Sequence, residues 1–165
     1  MSSQTAPISG PRTAEEQRAL KLLIVLSRAA NALGAHVARD VARHGLTPTE
    51  FAVLEALHHK GPLLLGDVQR KILLSSGGIT YTVDRLAEKG LVERRECTSD
   101  RRARYAALTP AGERLMERIF PEHTAAIVEA MSSLSSDEQD DLIRLARQLG
   151  LAAAGSLDGA DRGRE

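Results

Sequence analysis

The chain has 165 residues, with 22 Lys+Arg against 22 Asp+Glu and a formal charge of zero. That length suits one domain with helical extensions, and a composition 42% hydrophobic but only 2% aromatic favours helices packed on helices over a β-sandwich. The single cysteine, Cys97, excludes an internal disulfide and a multi-cysteine metal knuckle.

Residues 1–12 mix Ser, Gly and Pro without periodicity and read as a disordered lead-in; they lack the apolar core of a signal peptide. Thr13-Ala14-Glu15-Glu16 is a capping box that opens a helix running to about Arg43, with Leu23, Leu26, Ala30, Leu33, Val37 and Val41 stepping by three and four. Leu22, Ile24 and Val25 widen that face beyond what one neighbour needs, which suggests a subunit interface. No uninterrupted apolar run reaches the roughly 18 residues of a membrane span, so a soluble, cytoplasmic protein that does not engage a membrane is expected. Thr47-Pro48-Thr49-Glu50 is a second capping box, and its helix stops at Lys60-Gly61-Pro62. A short helix follows from about Leu65 to Ile72, then Ser75-Ser76-Gly77-Gly78 and a helix to Lys89, closed by Gly90. Leu91 to Glu96 and Arg104 to Thr109 read as two strands of a ribbon. Thr109-Pro110 caps a helix over about 110–132, with Pro121 a candidate bend. Ser135-Ser136-Asp137-Glu138 opens a last helix that is expected to end at Gly150, before a frayed tail.

The expected fold is mostly α (α+β with a small wing): a winged helix-turn-helix flanked by helices that pack against a second copy. The divisions are a disordered segment at 1–12, an N-terminal dimerisation helix at 13–45, a winged DNA-binding domain at 46–109, C-terminal dimerisation helices at 110–150 and a flexible tail at 151–165.

Charge is segregated within the neutral total. Residues 70–104 hold nine basic side chains against five acidic ones, a net +4, while 105–165 come to −5. A basic segment flanked by neutral and acidic ones suits contact with a polyanion. In the helix from Ser76 to Lys89, Ile79, Val83, Leu86 and Ala87 share one side, while Tyr81, Asp84, Arg85 and Glu88 share the other, with Thr80 at the border. One face would bury on the domain and the other would enter a groove. The Ser75-Ser76-Gly77-Gly78 opening offers backbone amides and a positive dipole end to a phosphate. The ribbon adds Arg101 and Arg102 at its tip and Arg94, Arg95 and Arg104 on its stems, suited to phosphates or a narrow minor groove.

Gly78 to Leu86, Lys89-Gly90-Leu91-Val92-Glu93-Arg94, Asp100-Arg101-Arg102 and Leu108-Thr109-Pro110-Ala111-Gly112 together resemble the MarR family of bacterial transcriptional regulators, over roughly Leu46 to His123. The resemblance implies a dimer whose terminal helices form the interface and whose wings straddle a palindromic operator in double-stranded DNA. It also implies that Asp84 pairs with Arg102. Within the family, Ser75 to Tyr81 and Cys97 resemble members that answer to quinones or phenolic compounds. A repressor released by such a small-molecule effector is therefore expected, with His36, Arg39, Phe51, His58, His59 and His123 as candidate ligand contacts.

Two further readings stand beside this one. Nearby arginines would favour a Cys97 thiolate, so the chain could sense oxidants. A winged helix can also serve as a protein-interaction module without specific DNA binding. The chain has no HExxH, no Gly-x-Ser-x-Gly and no phosphate-binding Gly-rich loop with Lys, so an enzyme is not expected. The five histidines lack the spacing of a catalytic metal site, and neither metal nor cofactor is expected.

Overall fold

The computed structural model describes residues 12–72, 76–96 and 104–162. Six helices and three short strands follow in the order α1 (Ala14–Ala42), α2 (Pro48–Lys60), β1 (Leu63–Leu64), α3 (Leu65–Ile72), α4 (Ser76–Glu88), β2 (Val92–Glu96), β3 (Arg104–Leu108), α5 (Pro110–Met131) and α6 (Ser136–Arg162). They fall into two compact units divided between Ala126 and Ile127.

Local chemistry sets the helix starts. The Thr13 hydroxyl accepts from the Glu16 amide while Glu16 accepts from the Thr13 amide, and Thr47 and Glu50 repeat the arrangement at α2. Gly45, Gly61 and Gly90 take positive φ values of 70°, 71° and 68° where chain segments end, a region that costs a side-chain-bearing residue energy.

In the first unit, Val41, Phe51, Val53, Leu54, Leu57, Val68, Ile79, Val83, Leu86, Val92, Ala106, Met116 and Ile119 form one buried cluster. Helices α2, α3 and α4 meet around it, and the sheet, ordered β1-β3-β2 and antiparallel throughout, closes one side. β1 was not expected; its two residues extend the ribbon by pairing Leu63 with Ala106 and Leu64 with Tyr105. Such a short, purely apolar segment carries no alternation to distinguish it from loop.

Gly112, in the first turn of α5, sits against the carbonyl of Leu91: a Cβ there would lie 2.1 Å from that oxygen. The Thr109 amide donates to the same carbonyl at 3.0 Å, and the Thr109 hydroxyl donates to Gly90 O at 2.7 Å. The entrance to β2 is thereby pinned to the start of α5.

α5 continues through Pro121 as one helix. In the second unit, Ser135 caps α6 by accepting from the Glu138 amide, while Glu138 accepts from the Ser135 amide at 2.8 Å and is held below the usual carboxylate range by those bonds. α6 does not stop at Gly150 but runs to Arg162. The expected flexible tail is thus helical through most of its length. Glycine ends a helix when the chain needs a positive φ, and Gly150 keeps helical geometry.

Large apolar side chains remain exposed on α1 (Leu20, Leu22, Leu23, Ile24, Val25) and on α6 (Leu142, Ile143, Leu145, Leu149, Leu151). α1 is long and apolar enough, by length and composition, to cross a membrane. Arg28 interrupts it near its middle, and a charge at that depth costs about 2.5–3.5 kcal/mol on insertion scales.

Candidate nucleic-acid interface

α4 buries Ile79, Thr82, Val83 and Leu86. Periodicity placed Ala87 on that side, but Ala87 is exposed and Thr82 takes the position. The two residues flank the buried line at similar angles, and Thr82 turns inward with its hydroxyl donating to Gly78 O at 2.8 Å. Thr80, Tyr81, Asp84, Arg85 and Glu88 are all exposed, Tyr81 to 67%. Ser76 and Gly77 begin the helix, and Ser75 lies outside the described residues.

The C-terminal end of α4 is anchored by Lys89. Its Nζ lies 2.8 Å from Glu50 Oε1 and donates to Gly45 O at 2.9 Å. The other Glu50 oxygen accepts from the Thr47 amide at 2.8 Å. Burial alone would raise the Glu50 pKa; the bonds from Lys89 and from Thr47 outweigh it and hold the carboxyl below its ordinary value. Lys89 thus ties the end of α4 to the start of α2 through the buried Glu50 carboxylate and, by its own bond, to the turn after α1.

β2 runs alongside α4. Arg94 Nη2 approaches Asp84 Oδ1 to 2.6 Å; the pairing of Asp84 with Arg102 that the family resemblance implied falls on a residue outside the described ones. Arg95 pairs with Glu93 at 2.6 Å on the outer face of the strand. Arg104 opens β3, opposite Glu96. Arg101, Arg102 and Cys97 lie outside the described residues.

The six candidate ligand contacts fall at several places in the first unit. His36 and Arg39 are exposed on α1. His123 is a core residue: its Nδ1 lies 2.8 Å from Asp40 Oδ2 and its ring packs on Phe51, with centroids 4.4 Å apart. Burial pushes the Asp40 carboxyl up, but the bonds from His123 and Arg43 prevail and lower it. His58 and His59 instead gather around Phe120, with centroid distances of 5.8 and 4.9 Å. His59 also lines an open cavity of about 400 Å³ with Ala52, Glu55, Ala56, Lys60 and Ile72. Among the described residues, no group of three or more His, Cys, Asp or Glu is placed to hold a metal ion.

Sequence reasoning missed the Asp40–His123 pair, the Glu50–Lys89 anchor and the Asp84–Arg94 contact. Only the last had a local signal: alternation along Val92-Glu93-Arg94-Arg95 puts Arg94 on the side of buried Val92.

A profile described as MarR family matches residues 44–103. The HTH-type transcriptional regulator MhqR of Bacillus subtilis is 45% identical over 137 residues, spanning 83% of this chain and 94% of that protein. The chain belongs to the MarR family. MarR-family proteins are transcriptional regulators, not enzymes. Sco3205, a MarR family transcriptional regulator from Streptomyces coelicolor solved in complex with DNA, matches with a TM-score of 0.76 and 27% identity, over 86% of this chain and 93% of that one. BpsR from Bordetella bronchiseptica, whose DNA binding is regulated by 6-hydroxynicotinic acid, matches with a TM-score of 0.72 and 25% identity, over 79% and 98%. In this MarR-family winged-helix fold α4 is followed directly by β2 and β3, the two long strands of the small antiparallel sheet.

Proposed function

We propose that this chain is a homodimeric, cytoplasmic repressor that binds a palindromic operator and is released by a small aromatic, phenolic or quinone-like ligand. The observation that carries the reading is the division of α4 into a buried side and a side bearing Thr80, Tyr81, Asp84 and Arg85 in solvent. A helix fixed on its own domain along one face and polar along the other is what a major groove requires. Thr80, Tyr81 and Arg85 contact base edges, Ser76 and Gly77 contact phosphates, and Arg101 and Arg102 carry the wing toward the minor groove, with Arg95 and Arg104 on its stems. The DNA complex of Sco3205 supports the partner, and the regulation of BpsR by an aromatic acid supports an effector of that class.

Residues 13–45 and 110–150 are the dimerisation elements, and the exposed apolar side chains of α1 and α6 favour that role. Two domains so joined place their recognition helices in half-sites about one helical turn, roughly 10 bp, apart. Ligand binding changes the separation of those helices, so the dimer no longer fits both half-sites.

The test is selection from a random pool of duplex DNA at two salt concentrations. Recovery of a palindrome whose affinity falls with salt is expected. No enrichment at either salt would reject the reading in favour of a protein-binding winged helix.

A further inference from the structure

The pleat of β2 sets its side chains alternately inward and outward: Val92 buried, Glu93 exposed, Arg94 part-buried, Arg95 exposed. Glu93 and Arg95 neutralise each other outside. Arg94 follows Val92 inward, and its side chain is only 27% exposed. Its Nε and Nη2 atoms are shut off from solvent without a hydrogen bond, so its charge is compensated by the Asp84 carboxylate 2.6 Å away. Asp84, in turn, sits beside Arg85 on the solvent side of α4, with 53% of its side chain exposed. A bare carboxylate there would repel the phosphates that α4 must approach.

We propose that Arg94 is a positioning residue: it locks α4 to the first strand of the wing through Asp84, neutralises that carboxylate, and spends no contact on DNA. The inference rests on the DNA-binding reading above and changes the part that one of the stem arginines plays in it. A guanidinium drawn off solvent and held against one carboxylate is poorly placed to reach a phosphate. It is well placed to couple two elements, because β2 leads straight into residues 97–103, where the sequence carries Arg101 and Arg102. The other end of β2 is already fixed by the contact of Leu91 with Gly112. With Arg94 engaged, the strand is held at its entrance by α5 and in its middle by α4.

The test is a double-mutant cycle on operator binding with Asp84→Asn, Arg94→Gln and the double variant, titrated across salt. Each single variant is expected to bind about tenfold more weakly, and the double no more weakly than the worse single, because both remove one interaction. The slope of log affinity against log salt should match wild type in the double variant, since a neutral pair replaces an ion pair. Additive losses, or a slope smaller by about one in the double variant, would identify Arg94 as a phosphate contact and overturn the proposal. Urea unfolding of the same four proteins provides the readout that does not depend on DNA. Non-additive midpoints support the lock even if no operator is recovered, and additive midpoints reject it even if one is.

Discussion

His123 on α5 and Asp40 on α1, 83 positions apart in the chain, share a hydrogen bond of 2.8 Å inside the first unit. Arg43, the residue that caps the C-terminal end of α1, pairs with the same carboxylate. Asp40 is 5% exposed, so its charge relies on these two partners rather than on water. His44, in the turn after α1, adds a second, looser contact to α5, with its Nε2 3.8 Å from Glu122.

The Asp40 carboxyl is held below its ordinary pKa of about 3.9, so it stabilises the folded chain above that value and the contribution is lost as pH falls through the depressed one. Asp40→Asn should therefore lower stability by about 2 kcal/mol at pH 7, read from urea midpoints. The gap between variant and wild type should narrow below about pH 4. A gap that stays constant down to pH 2 would show that the charge of Asp40 is not what matters.

Lys89→Met removes the link from the end of α4 to Glu50 and Gly45 and leaves a buried carboxylate with only the Thr47 amide and hydroxyl. A loss of about 1–3 kcal/mol is expected in thermal or urea unfolding. Adding Glu50→Gln should cost little more. If the two losses simply add, the pair does not act as a unit.

Gly112→Ala drives a methyl group into the Leu91 carbonyl, which is backbone and cannot swing aside. About 2 kcal/mol of destabilisation or more is expected, with the melting temperature as the measurement. Gly155→Ala on α6, where nothing lies within 4 Å, should instead be neutral or slightly stabilising. Equal melting temperatures for Gly112→Ala and wild type would mean that β2 and α5 separate at no cost.

The N-terminal helix offers the fourth test. Leu20 and Leu23 lie one turn apart and are 41% and 62% exposed. With both changed to Glu, the chain should sediment as a monomer with its helix content intact, and operator affinity should fall at least a hundredfold, since one half-site alone cannot supply the two-site energy. A dimer that survives both changes would place the interface elsewhere.

Much of this fold is written in short-range chemistry, which is why it could be read from the chain. The three capping boxes act over three residues, and the glycines at 45, 61 and 90 act on their own backbone. Gly150 misled for the same reason: identity alone does not reveal whether a glycine will use its freedom. The exposed side of α4 was legible because a 3.6-residue period sorts it, and the Ala87–Thr82 exchange occurred where two positions are nearly equivalent by angle. The anchors that hold the site in place, Asp40–His123, Glu50–Lys89 and Asp84–Arg94, join residues separated by 83, 39 and 10 positions. Pairing at such distances follows from the packing of the core and has no period. His123 shows what single-residue reading leaves out: its bond to Asp40 depends on a residue 83 positions away.

The apolar stripe along α1 has a consequence for dosage. In the proposed dimer, coverage of Leu22, Leu23, Ile24 and Val25 by a second chain would be a second-order process that depends on how many copies a cell holds. A newly made chain below the association threshold would carry a complete recognition helix and still lack the paired half-site geometry. Copy number would then act as an input alongside any ligand, and a modest change in synthesis or turnover would be felt at the operator as the square of the chain concentration.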